Sequence, residues 1–266
     1  MRTKTLLIAA AALAVGTVAS MAQTTYSQNV VGYVNLTVPA KGYALVANQL
    51  QNGSDAAKTN NSINAIFSGL TSDGNGANNT LLYLWNGAGY NTYQYFTAVD
   101  ADSWFGANSG NGFYDTLGTL VSGSLNQGGG SFLYNPTTTV VTNTFTGTVV
   151  QGTNLMTIKN GFNMLSFVAP VAGGIASTNS FANFPGTSDA NGANNDLLYQ
   201  WNGTGYNTYQ YFTAVDADNW FGANSGNGFY DTLGTLVPAN IPVGQGFFIN
   251  HVAATTVIWT NSLVVQ

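Results

Sequence analysis

One stretch of this chain occurs twice, and nothing else in the sequence restricts its architecture as much. Residues 71–121 and 187–237 align without a gap at an offset of 116, and only five of the 51 positions differ: Gly74/Ala190, Thr80/Asp196, Leu84/Gln200, Ala88/Thr204 and Ser103/Asn219. A fixed period of this kind marks a repeated structural unit. The flanks have drifted further: GYALVANQL (42–50) corresponds to GFNMLSFVA (161–169).

The repeat unit reads as β-structure. Short runs of β-branched and aromatic residues are bounded by Gly and Asn at roughly ten-residue intervals, and no stretch beyond the leader sustains a 3.6-residue apolar period. The expected fold class is all-β: two tandem β-sandwich-like modules formed by internal duplication. Residues 81–85 and 90–97 flank Asn86-Gly87-Ala88-Gly89, and Asn-Gly accepts the positive φ of a tight hairpin. The twin hairpin turns at Asn202-Gly203-Thr204-Gly205. Alternation puts Tyr93 and Tyr95 on one face. A short helix is expected at 62–69, where Ser62 precedes Ile63, Ile66 and Phe67; residues 177–184 are its counterpart. Residues 104–112 (WFGANSGNG) read as a loop.

Runs at 131–135 and 247–250 read as strands after glycine-rich turns, followed by closing strands at 140–150 and 257–265. The Val149-Val150 pair lies where one module passes into the next, as a strand the two modules share near 147–152. No Pro- or Ser-rich linker intervenes, so the modules should abut. The expected division is 1–22 leader, 23–150 first module and 151–266 second module.

The leader carries Arg2 and Lys4, then an apolar run at 6–18 of signal-peptide length, then Ser20-Met21-Ala22 as a cleavage site. The run is too short to span a membrane. A mature chain beginning at Gln23 keeps three lysines (Lys41, Lys58, Lys159) against ten aspartates and no glutamate, a net charge of −7. So few cations argue against nucleic acid and anionic lipid as partners. With no cysteine, stability rests on burial, backbone pairing or bound ions rather than disulfides.

The order of a G-[YF]-x-x-[LV] strand, LLYxWNGxGYxxY, a tryptophan segment, GxGFF[IL]N and a Thr/Val-rich closing strand resembles secreted bacterial tandem β-modules with G-W-N-L-[IV]-S-x-P-L-like openings and GxGF[FW][IV] closings. Tyr43 and Phe162 stand where those openings carry Trp, and Gln49 replaces the Pro. The resemblance implies a secreted β-rich module at or outside the cell surface and brings no activity with it.

Two chemistries are written into the duplicated block. Asp100, Asp102 and Asp115, with Asp216, Asp218 and Asp231, gather carboxylates in a segment without cations. An extended 100–102 would aim two of them the same way, and Asn108, Asn111 or loop carbonyls could complete a Ca²⁺ site. The loop lacks EF-hand spacing, because Trp104 takes a ligand position and no Glu closes it. DANGANND at 189–196 is a second candidate. The competing reading makes these acids Asx-turn residues. Second, Trp104, Tyr114, Trp220 and Tyr230, beside Gly/Asn loops, are the aromatics expected to be exposed as a glycan platform; most other rings belong in the core. No catalytic residues emerge. An Asp100/Asp102 pair lacks apolar surroundings, and the single histidine, His251, is expected at the surface or as a cap. The expected role is therefore non-catalytic: a structural or interaction protein outside the cell, with calcium-assisted carbohydrate binding as the alternative and a glycoside hydrolase third. Extracellular polysaccharide or other surface proteins are its expected partners.

Overall fold

The computed structural model describes residues 31–52, 61–67, 69–173, 181, 183–237 and 240–263. The leader, and all but Phe181, Asn183 and Phe184 of the expected second short helix, lie outside the described residues. The first module comprises β1 (Val31–Val38), β2 (Gly42–Ala47), α1 (Ile63–Ile66), β3 (Leu81–Trp85), β4 (Tyr90–Phe96), α2 (Ala98–Phe105), β5 (Gly112–Tyr114), β6 (Gly130–Asn135) and β7 (Val141–Thr148). The second comprises β8 (Gly152–Ile158), β9 (Gly161–Leu165), β10 (Leu197–Trp201), β11 (Tyr206–Phe212), α3 (Ala214–Phe221), β12 (Gly228–Tyr230), β13 (Phe247–His251) and β14 (Val257–Leu263). Each forms an antiparallel five-stranded sheet, β2-β6-β3-β4-β5 and β9-β13-β10-β11-β12, and a two-stranded ribbon of its first and last strands. The all-β, duplicated architecture is as expected.

Side-chain alternation explains how the ribbons pack. In β7, Val141, Asn143 and Phe145 point inward while Thr142, Thr144 and Thr146 face solvent. In β14 the inward set is Trp259, Asn261 and Leu263. At the 116-residue offset Trp259 matches Asn143 and Asn261 matches Phe145, so the large ring has moved two residues along the strand without changing face. Trp259 is fully buried and stacks on Phe181 at 5.3 Å. In the first module Phe67 packs edge-on to Phe113 at 5.8 Å and Phe145 at 5.2 Å.

Two local elements depart from expectation. Residues 100–102 are helical, as are Trp104 and Phe105 at the head of the expected loop. Only Ala101 of α2 is buried, so an apolar period is absent, and the helix is set by its cap. The Thr97 side chain accepts from Asp100 N, and the Asp100 carboxylate accepts from Thr97 Oγ1 at 2.8 Å. The boundary strand is not shared: β7 ends at Thr148 and pairs with β1, whereas β8 starts at Gly152 and pairs with β14. Helix α1 forms as expected, with Ser62 accepting from Ala65 N and Ile63 and Ile66 buried.

Both modules belong to one compact unit, Val31–Gln266, joined with approximate two-fold symmetry. Val46 bridges Gln245, and Leu165 bridges Gly129 in the equivalent place. Leu45, Phe132, Met164 and Phe248 are buried between the sheets, framed by Tyr83, Trp85, Tyr199 and Trp201. Trp85 Nε1 donates to Phe162 O at 3.1 Å, and Trp201 Nε1 to Tyr43 O at 3.4 Å. Gln49, where the resembling modules carry Pro, is buried in this junction: it donates to Phe167 O and Ala169 O and accepts from Gly244 N at 2.7 Å.

Candidate functional site

The duplicated block builds a surface that the protein carries twice. Its hairpin turns at Asn86, whose Oδ1 accepts from Ala88 N and Gly89 N at 3.0 and 2.9 Å, with Gly87 at φ 99°. From there β4 leads through Thr97 into α2, and the chain returns through a Gly/Asn loop into β5.

The paired carboxylates in the block are taken up by hydrogen bonds, mostly in local turns, while Asp100 and Asp216 also reach back to Ser72 and Ser188. Asp73 accepts from Asn75 N, Asn78 N and Asn78 Nδ2. Asp100 accepts from Ser72 Oγ and Thr97 Oγ1, which hold its carboxyl below the usual range. Asp102 accepts from Ser109 N at 2.8 Å, and Asp115 from Leu117 N and Thr119 N at 2.9 and 2.8 Å. In the second copy, Asp189 accepts from Asn194 Nδ2, which lowers its pKa most, and from Asn191 N and Ala193 N. Asp216, Asp218 and Asp231 repeat the first copy's pattern through Ser188 and Thr213, Ser225, and Leu233 and Thr235. The expected calcium triads do not converge: among the described residues, no three His, Cys, Asp or Glu side chains group so as to hold a metal ion. Placing Asp100 and Asp102 on a helix, rather than on a strand, sends them to different partners.

The aromatic expectation divides. Trp104 is 53% exposed and Trp220 51%. The Trp104 indole donates to Gly74 O at 2.9 Å and lies over Gly76, where a Cβ would sit 3.7 Å from the ring. Trp220 likewise donates to Ala190 O. Tyr114 and Tyr230 are each only 2% exposed and do not face solvent. Tyr114 stacks on Phe105 at 4.6 Å, and its hydroxyl lies within hydrogen-bonding reach of Ser109 O and Gly110 O. It holds the Gly/Asn loop from inside, as Tyr230 does through Ser225 O and Gly226 O. Sequence reasoning missed the apolar members of the outer surface: Val99 and Leu117, with their twins Val215 and Leu233, are strongly exposed.

His251 is not at the surface. It is fully buried against Asp196, with Nδ1 2.8 Å from Oδ2 and Nε2 3.0 Å from Thr255 O. Asp196 also accepts from Thr187 N and Val252 N. Asp196 replaces Thr80, and His251 replaces Asn135, so both members of the pair differ together between the copies. That joint difference was the available signal. Both side chains are sealed from solvent.

No helix among the described residues is long and apolar enough to cross a membrane. No protein-family model, curated protein or solved structure matches this chain.

Proposed function

We propose that this is a secreted, non-catalytic interaction protein that presents one binding surface in two copies, outside the cell. The observation that carries the reading is the outward part of the duplication. Val99, Trp104 and Leu117 are exposed in the first copy, and Val215, Trp220 and Leu233 match them in identity and exposure. Core requirements do not dictate exposed apolar residues, and the same ones are exposed in both copies. Two like surfaces on one rigid scaffold suit a repetitive or multivalent partner, because the second contact forms at high effective concentration. The leader sequence supports secretion: mass spectrometry of exported protein should find Gln23 at the N-terminus, and an intact Met1 would refute processing.

A glycan partner is the second reading, favoured by the exposed Trp104 and Trp220 rings beside amide-rich turns. Both readings are tested by presenting the protein to an array of polysaccharides and extracellular matrix proteins. Trp104→Ala or Trp220→Ala alone should weaken apparent affinity by about 10²-fold through lost avidity, and the double variant should abolish it. Capture of the double variant at wild-type strength would refute the duplicated surface as the contact.

A further inference from the structure

The join between the modules creates a cleft that neither module has alone. Its volume is about 530 Å³, within the range of small-ligand sites. It lies where the hairpin turn of the second module overhangs β1 and β2 of the first. Two rings, Tyr43 and Trp201, and five amides, Asn35, Gln200, Asn202, Asn207 and Gln245, give it its chemistry, and none of its lining residues is charged. The hydrogen bond from Trp201 Nε1 to Tyr43 O and edge-on packing against Phe132 and Tyr206, both at 5.2 Å, hold the indole in place.

The amides are only partly used within the protein. Gln245 donates through Nε2 to Trp201 O at 2.9 Å, while its Oε1 is buried without a hydrogen-bond partner. The Asn35 and Asn207 carbonyls accept from Thr144 Oγ1 and Asn202 Nδ2, and the Gln200 NH₂ donates to Asn240 O at 2.8 Å. A buried acceptor left unpaired is costly.

The two-fold-related cleft shows that these features are not a by-product of the symmetry. It is smaller, about 390 Å³, is lined by Trp85 and Phe162, and includes Lys159. Leu84 is the counterpart of Gln200, one of only five differences in the duplicated block, so the block departs from its copy at a residue of the larger cleft.

We propose that the cleft between Tyr43 and Trp201 binds a neutral oligosaccharide. Flat aromatic faces suit the C–H faces of sugar rings, and side-chain amides donate to and accept from hydroxyls. A charged ligand would lose its hydration without meeting a counter-charge. This site is separate from the duplicated surface and does not depend on its role.

Isothermal titration of the mature chain with cello-, malto- and manno-oligosaccharides, and with oligogalacturonate as the acidic comparison, tests it. One neutral series should bind saturably at one site per chain, and oligogalacturonate should not. Gln200→Leu installs the residue the other module already carries, giving up one exposed hydrogen bond to Asn240 O, and it should weaken binding about tenfold. Trp201→Phe should weaken it further, while Leu155→Thr, on the exposed face of β8, should leave it unchanged. Absence of saturable binding in every neutral series would overturn the proposal, as would binding indifferent to Gln200→Leu. Loss of sugar binding in the Trp104→Ala/Trp220→Ala variant, with Gln200→Leu silent, would place the sugar on the duplicated surface and also overturn it. If no sugar binds but the array still registers a Trp104-dependent partner, the cleft proposal fails while the duplicated-surface reading stands.

Discussion

Removing one member of the buried Asp196–His251 pair should be among the most damaging single changes in this protein, and removing both should be far milder. Asp196→Thr takes the carboxylate from His251 Nδ1 and strands the Val252 N–H that its Oδ1 accepts at 2.9 Å. Removing one partner from a buried, hydrogen-bonded pair of ionisable groups costs about 3–5 kcal/mol. Both ring nitrogens of His251 lie against oxygen atoms, Asp196 Oδ2 and Thr255 O. The first module solves the same problem without charge. There Thr80 lies 3.1 Å from Thr71 Oγ1, and the Asn135 NH₂ donates to Pro39 O at 3.1 Å and Thr139 O at 2.7 Å. Asp196→Thr with His251→Asn transplants that solution and should recover at least about 2 kcal/mol of the single-variant loss. Urea unfolding of wild type, both single variants and the double variant gives the coupling energy. A single-variant cost below about 1 kcal/mol, or strict additivity, would refute a working buried pair.

Millimolar Ca²⁺ should leave the unfolding temperature unchanged within about 1 °C, because Asp100, Asp102 and Asp115 already serve separate turns; a clear increase would reveal a folded-state ion site. At alkaline pH the junction should weaken. Burial raises the phenols of Tyr83, to about 12, and of Tyr90 and Tyr206, so the folded state holds its protons longer than the unfolded chain. Their contribution is fully present below about pH 10 and is lost as pH rises through about 12; urea midpoints across this window should fall, less steeply in Tyr83→Phe, and a flat profile would contradict the assignment. Trp259→Ala removes a fully buried ring from the second core and should cost about 3–5 kcal/mol by urea unfolding, whereas a cost under about 1 kcal/mol would mean that the ring is not packed as described.

The parts of this protein legible in its sequence are those whose causes lie within a few residues. Asn86-Gly87 makes a hairpin because Asn86 Oδ1 can reach the next amides along the chain. Ser62 starts α1 for the same reason, and the alternation in β7 follows from the pleat of an extended chain. The Asx-turn reading of the acids also rested on such reach, whereas a shared ion required separate segments to converge. Helix α2 escaped a reading based on apolar period because it buries only Ala101; its cause was equally local but lay in the Thr97–Asp100 cap.

What only the tertiary structure decided is which side chains lose water. Tyr114 and Trp104 sit in one Gly/Asn-rich stretch with similar neighbours, yet one is sealed under Phe105 and the other lies outside over Gly76. His251 looked like a surface residue until the fold brought it to Asp196, 55 residues away in sequence. The WNG hairpins read as turns, and nothing local in them shows that each tryptophan caps the neighbouring module's edge strand. Backbone conformation is governed by short-range sterics and hydrogen bonds, which a linear sequence records. Burial, and the clefts it leaves, depend on the shape of the opposing surface, which exists only once the two sheets have met.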